Sequence, residues 1–271
     1  MAQIVDPGSW HVEKEGDGPP LLLIHGLGAS SFSFRENLKP LGKKFRVLAP
    51  DLPAHGYSPA PLDGDYRLET LTRGLRDFLD LKGLRQAAVA GNCLGGSLAL
   101  MLARDYPERV SALILLDPAV ALTRVPWMFY PLRLPFLGGL AAALSGPWII
   151  PFALGLAYHR RELITPEVVA GYARPFQELP RRLAFRRMCQ QLKIPPPPEI
   201  EAMLQKIRQP TVLIWGEEDR ILPVSQASWV KARLPHALYK PLPEVGHAPQ
   251  EEDPTAVNEI IIDFLTHSIN N

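Results

Sequence analysis

The sequence predicts an α/β fold: a mostly parallel central sheet flanked by helices, with a helical insertion on one rim. Three observations predict it. Short apolar runs bounded by glycine or proline alternate with segments whose leucines recur at helical spacing. The alternation stops after Asp117-Pro118 and resumes at Thr211. The stretch between them is first apolar and proline-rich, then basic.

The elements follow in order. Pro20 to His25 reads as the first buried strand, Phe45 to Pro50 as the second, Ala87 to Gly91 as the third and Ala112 to Leu116 as the fourth. Unbroken apolar runs of this kind belong to parallel strands covered on both faces. Between them, Leu68, Leu71, Leu75, Phe78 and Leu79 share one helix face. Leu98, Leu102 and Tyr106 share another, in a segment closed by Pro107. Strand followed by helix, repeated, implies a parallel sheet with helices on both sides. The strand signal returns at Thr211 to Trp215 and near Ala237 to Leu242, and a last helix runs through Ala256, Ile260 and Phe264. Residues 1–118 and 199–271 therefore form the core, residues 119–198 the insertion, and no internal repeat is present.

Composition narrows the function classes. Hydrophobic residues make up 46% of the 271 and charged residues 21%, which gives enough apolar surface for a packed core and excludes a disordered chain. Lys+Arg 29 against Asp+Glu 28 leaves +1, so a uniformly basic nucleic-acid binder is excluded. Two cysteines, Cys93 and Cys189, cannot build a disulfide framework or a four-thiolate zinc site. The 29 prolines predict rigid loops in place of long helices. No basic region followed by an apolar one opens the chain, so a cytoplasmic location is the expectation. Residues 125–158 carry one charge, Arg133, but prolines 126, 131, 135, 147 and 151 interrupt them. A spanning helix needs roughly 20 apolar residues in a row. Short helices over an apolar cavity, or against a membrane surface, are expected instead.

The most informative residues are Gly91-Asn92-Cys93-Leu94-Gly95-Gly96, between an apolar strand and a helix. They form the G-x-S-x-G nucleophile elbow with cysteine in the serine position. A nucleophile on so tight a turn needs glycines two before and two after it, where a side chain would block the passing backbone. The turn also sets the nucleophile at a helix N-terminus, whose dipole favours a thiolate. Taken alone, Cys93 reads equally well as a small buried residue in a glycine-rich turn.

Four further motifs decide the weighing. His25-Gly26-Leu27-Gly28 follows a strand; Asp51-Leu52-Pro53-Ala54-His55-Gly56-Tyr57-Ser58 is a turn; Gly216-Glu217-Glu218-Asp219 follows another strand; Gly246-His247-Ala248-Pro249 precedes the last helix. With these motifs, the sequence resembles the α/β-hydrolase superfamily over nearly its whole length. Ala54 departs from the family's D-x-P-G-H-G-x-S turn, in which a glycine stands there. The resemblance implies the α/β-hydrolase fold with residues 119–198 as a helical cap. It implies Cys93 as nucleophile, His247 as general base and Asp219 as the acid that orients it, in the family's chain order. It implies an oxyanion hole made by the backbone N–H groups of Leu27 and Leu94.

Competing readings stand beside these. Asp117 also follows a sheet strand, a place from which a minority of the family takes its acid, and Asp219 is favoured on motif context. His25 and His55 read as structural hydrogen-bonders in family turns, and His11, His159, His236 and His267 as ordinary surface or packing residues. Asp51 reads as stabilising its own turn and Cys189 as packing. The cysteine excludes an aspartyl-ester mechanism and implies acyl transfer through a thioester, on an ester, thioester or related apolar acyl substrate. Alternatives are a serine-type hydrolase carrying an engineered Ser-to-Cys change at 93, a non-hydrolytic lyase, and a ligand-binding member of the same fold. No cofactor or metal motif is visible.

Trp127, Met128, Phe129, Tyr130, Phe136, Trp148 and Phe152 read either as the lining of a lipophilic pocket or as the cap's own core. The insertion holds ten Lys+Arg (124, 133, 160, 161, 174, 181, 182, 186, 187, 193) against three Glu (162, 167, 178), a local +7. That charge reads as a solvated helix face or as a contact for an anionic carrier or membrane surface. The oligomeric state is left open.

Overall fold

The computed structural model describes residues 3–120, 127–193 and 195–269; Arg124, Val125 and Pro126 of the insertion lie outside the described residues. The strands are β1 (Val12–Glu15), β2 (Pro20–Ile24), β3 (Arg46–Pro50), β4 (Ala87–Asn92), β5 (Val110–Leu116), β6 (Thr211–Gly216) and β7 (Leu238–Leu242). They form one seven-stranded sheet in the order β1-β3-β2-β4-β5-β6-β7. All neighbours are parallel except β1, which runs antiparallel to β3. The expected α/β-hydrolase architecture is thus present.

Successive residues of a strand point to opposite faces, so the apolar runs feed two cores at once. Leu22, Ile24, Val89, Leu113, Leu115, Leu213 and Trp215 join a core shared with α2 (Leu68–Leu81) and α3 (Leu94–Asp105). Leu21, Leu23, Ala88, Ala90, Ile114, Leu116, Val212 and Ile214 join the opposite core, closed by α1 (Arg35–Gly42) and α12 (Pro254–Ile269). The remaining core helices are α9 (Pro197–Leu204), α10 (Ser225–Arg233) and α11 (Pro249–Glu252). α9 starts inside the proline run and puts Ile200, Met203 and Leu204 into the first core, so it straddles residue 198.

The cap carries α4 (Tyr130–Arg133), α5 (Leu137–Leu144), α6 (Ile150–Ala157), α7 (Pro166–Ala173) and α8 (Leu179–Gln191). The prolines do not simply make loops. α4, α6, α7, α8 and α9 each have one in the first two positions, where the missing N–H has no intrahelical partner to lose. Ile150, Leu154, Tyr158, Val168 and Ala173 form a small core belonging to the cap, with Ala248 of the sheet domain.

The four arginines of α8 are held by main-chain carbonyls. On α8, Arg181 donates to the carbonyls of Gly56 and Ser58 at 2.9 Å, and Arg187 to that of Gly64 at 2.8 Å. Arg182 donates to Ala142 and Phe176, and Arg186 to Leu134 and Pro135. Each guanidinium satisfies carbonyls that turns and helix ends leave open. α8 is thereby tied to the 51–58 turn on one side and to α5 on the other.

Candidate active site

The site forms where β4 turns into α3. Cys93 stands at the turn with φ 53° and ψ −114°, a left-handed conformation unusual for a side-chain-bearing residue. The flanking glycines are required, as expected. A Cβ on Gly91 would lie 2.3 Å from the Gly95 carbonyl, and one on Gly95 would lie 2.0 Å from the Ile24 carbonyl oxygen. Leu94 is the first residue of α3, so its N–H has no intrahelical acceptor. Leu27, in the loop after β2, lines the same cavity as Cys93 and Leu94.

His247 and Asp219 come to this point from the loops after β7 and β6. The Asp219 Oδ2 atom lies 2.6 Å from His247 Nδ1. The other carboxylate oxygen, Oδ1, accepts the N–H groups of Ile221 at 2.7 Å and Leu222 at 2.8 Å, which fixes the carboxylate. Burial disfavours the charged imidazole, yet the charges of Asp219 and Cys93 and hydrogen bonds to both hold the His247 pKa well above its usual value. The three sequence-predicted residues are therefore brought together.

Asp117 is fully buried in the left-handed region at φ 41°, and its Oδ1 accepts the Gly216 N–H at 3.1 Å. Burial, reinforced by the neighbouring charge of Asp219, pushes its pKa well above the carboxylate range. It packs beside the acid that bonds His247, and no hydrogen bond joins it to the imidazole among the described residues. Asp51 stabilises its own turn and more: Oδ1 accepts from Ser31 N–H, Oδ2 from Tyr57 N–H at 2.8 Å. His11 is not an ordinary surface residue, since its Nδ1 lies 3.0 Å from Asp51 Oδ2.

His25 bonds the Gly26 carbonyl through Nδ1, which makes Nε2 the acceptor of the Leu52 N–H at 2.9 Å. It thus links the loop carrying Leu27 to the 51–58 turn. Burial lowers its pKa; burial and the adjacent His25 lower that of His55 to about 3. Ala54 adopts φ 65°, the conformation for which the family's turn carries glycine. Cys189 is buried, and burial pushes its thiol up to about 12, as a packing residue would show.

Three residues gain roles that the sequence reading did not assign. The Asn92 amide donates to the carbonyls of Leu116 at 3.2 Å and His247 at 3.1 Å, tying the histidine loop to the elbow. Glu252 accepts from Gly246 N–H through Oε1 and from His159 and Arg160 N–H through Oε2, so one carboxylate joins that loop to the cap. Glu251 accepts from Arg35 of the core and Tyr172 of the cap. The available signal was Glu251-Glu252 directly after the Gly246-His247 motif, two charges in a stretch that packs inward.

Cys93 lines a cavity of about 1110 Å³ between the sheet domain and the cap, mainly apolar in lining. Trp127, Met128, Phe129, Trp148 and Phe152 line it. Tyr130 and Phe136 do not; Phe136 is 95% exposed. Among the described residues, no group of three or more His, Cys, Asp or Glu is arranged to hold a metal ion.

A family model described as alpha/beta hydrolase fold matches residues 19–149. The uncharacterized hydrolase YugF of Bacillus subtilis (strain 168) is 32% identical over 247 residues, 90% of this chain and 89% of that protein. The 2-hydroxy-6-oxo-6-phenylhexa-2,4-dienoate hydrolase of Burkholderia cepacia is 28% identical over 264 residues, 95% of this chain and 91% of its own. The crystal structure of lip1 from Acinetobacter baumannii AYE, designated a lipase, matches with a TM-score of 0.85 and 26% identity, covering 100% of this chain and 92% of that one.

Proposed function

The chain belongs to the α/β-hydrolase fold family and is a hydrolase, and we propose that it acts by acyl transfer through Cys93, His247 and Asp219. The observation that carries this reading is the 2.6 Å His247–Asp219 bond, with His247 and Cys93 lining the same mainly apolar cavity. With its thiol proton passed to His247, Cys93 Sγ attacks the acyl carbonyl as the thiolate. Asp219 stabilises the resulting imidazolium. The N–H groups of Leu27 and Leu94 bind the oxyanion as it forms. His247 then returns the proton to the departing alcohol or thiol, leaving a thioester on Cys93. Water, deprotonated by His247, attacks that thioester and releases the acid and the free thiol.

The cavity supports an ester or thioester with an apolar acyl group. A second reading, an unsaturated oxo-acid substrate, is favoured by the names of the Burkholderia cepacia relative and of relatives from Comamonas testosteroni and Pseudomonas putida. The test is a graded panel of p-nitrophenyl esters and acyl thioesters, plus one dienoate, turned over by the protein and by Cys93→Ser. The proposal expects turnover of medium or long acyl groups, with Cys93 superior to serine on thioesters. A serine variant far superior on every substrate would overturn the cysteine mechanism in favour of a serine-type hydrolase altered at 93. Binding without turnover would leave a ligand-binding member of the fold.

A further inference from the structure

The cap presents an apolar face that its own core does not explain. Phe136 is 95% exposed, Trp148 71%, Leu144 64%, and Leu137 and Trp127 62% each. Leu140 and Phe152 are also more than half exposed. Phe136, Leu137, Leu140 and Leu144 lie on or next to one helix, α5; the Trp127 and Phe152 rings are 6.3 Å apart, and Trp148 Nε1 donates to the Leu144 carbonyl. A contiguous exposed patch of this kind marks an interaction surface. Residues 127–158 contain no carboxylate and a single cation, Arg133. The guanidinium groups of Arg182 and Arg186 sit on the carbonyls of Ala142 and Pro135, at the edge of the same helix.

Among the described residues no single helix is long and apolar enough to cross a membrane. Leu137–Leu144 and Pro147–Ala157 reach that hydropathy only as a pair bent by 81°. A bent apolar pair with tryptophans and a cationic rim suits the plane of a lipid headgroup layer rather than its crossing. Trp127, Leu144, Trp148 and Phe152 belong both to this face and to the lining of the cavity. The face is therefore continuous with the cavity's lining.

We propose that α5 and the segment leading into α6 are a docking surface for an anionic lipid bilayer, placed so that the cavity opens toward the acyl chains. The charge argues for this occupant: an apolar face without carboxylates, rimmed by arginines whose charge persists although their N–H groups are bonded. The docking does not depend on which residue is the nucleophile, because its measurement is binding and not turnover.

The test is co-sedimentation of the protein with vesicles of equal parts phosphatidylcholine and phosphatidylglycerol, beside vesicles of phosphatidylcholine alone. The variant is Phe136→Ser/Leu137→Ser/Leu140→Ser, three side chains outside the cavity lining. The protein should bind the anionic vesicles, and the variant should lose at least about tenfold in partitioning while hydrolysis of a short water-soluble ester is unchanged. Bromine-labelled acyl chains should also quench tryptophan fluorescence of the unaltered protein, less so in Trp148→Phe; this reading survives if the triple variant misfolds. Absence of vesicle binding, or equal binding by the triple variant, would overturn the proposal. So would a dimer that the triple variant dissociates without any vesicle binding, which would assign the face to a second copy.

Discussion

The two buried aspartates give the sharpest prediction. Asp219→Asn changes one atom, and the surrounding bonds fix which one. Oδ1 of Asp219 accepts two backbone N–H groups at 2.7 and 2.8 Å. An amide NH₂ there would face two donors, so the asparagine oxygen must stay and the NH₂ must turn to His247 Nδ1. Nδ1 then has to accept, and its proton moves to the ring nitrogen left for Cys93. In that tautomer His247 cannot take the thiol proton. The same exchange in a serine triad costs about 10⁴-fold in turnover. A cysteine needs less help from its base, so a loss of about 10³–10⁴-fold is expected, or about 4–5 kcal/mol of barrier. Asp117→Asn is the control. Burial and the charge of Asp219 push its carboxyl pKa well above the usual range, and an amide keeps the acceptor for Gly216 N–H. Its effect on kcat should stay within about threefold. The assay is kcat and KM of both variants on one chromogenic ester. A loss below about tenfold in Asp219→Asn, with a collapse in Asp117→Asn, would refute the assignment of the acid.

Three more predictions follow from particular contacts. Glu252→Gln replaces an acceptor of three N–H groups with one that leaves at least one of them facing an amide nitrogen; it should cost about 2 kcal/mol, seen as a melting temperature lower by about 4–8 °C, and an unchanged melting temperature would sink the clamp. Gly95→Ala places a Cβ 2.0 Å from the Ile24 carbonyl oxygen; a loss of about 3 kcal/mol or more, together with activity, is expected in denaturant titration, and a fully stable variant would contradict the elbow geometry. His55 has a folded pKa of about 3 against 6.5 when exposed, so its stabilising effect is complete above 6.5 and is lost as pH falls toward 3. Between pH 7 and 5 this costs about 2 kcal/mol, so His55→Gln should flatten the pH dependence of unfolding by that amount, and parallel slopes would show that His55 is not buried neutral.

How much was legible in the sequence depended on where each partner lies. β2, β4, β5 and β6 were readable because both of their faces are covered, so their side chains are apolar without interruption. β1 was missed because Val-Glu-Lys-Glu is an edge strand with three exposed residues, a composition that protects an edge and hides it from pattern reading. α1 was missed because Pro40 and Gly42 stand near its end. The convergence of Cys93, Asp219 and His247 was legible because each of the three sits in a motif whose glycines are set by local backbone geometry. Glu252 was not, since its purpose depends on the cap backbone at 159 and 160, far away in sequence. The bonds of the α8 arginines were not legible for a similar reason: their partners are main-chain carbonyls, which no side-chain pattern announces.

The central claim is that Cys93 carries the acyl group. Rapid acid quench during turnover of a slow acyl thioester, followed by intact-mass and peptide-mapping mass spectrometry, tests it directly. The account predicts an added acyl mass confined to the peptide bearing Cys93, absent from Cys93→Ala, and accumulating in His247→Gln only if the acyl donor is highly activated. Turnover by Cys93→Ala at the rate of the unaltered protein, or turnover of the unaltered protein with no acyl mass on Cys93 at any quench time, would contradict it.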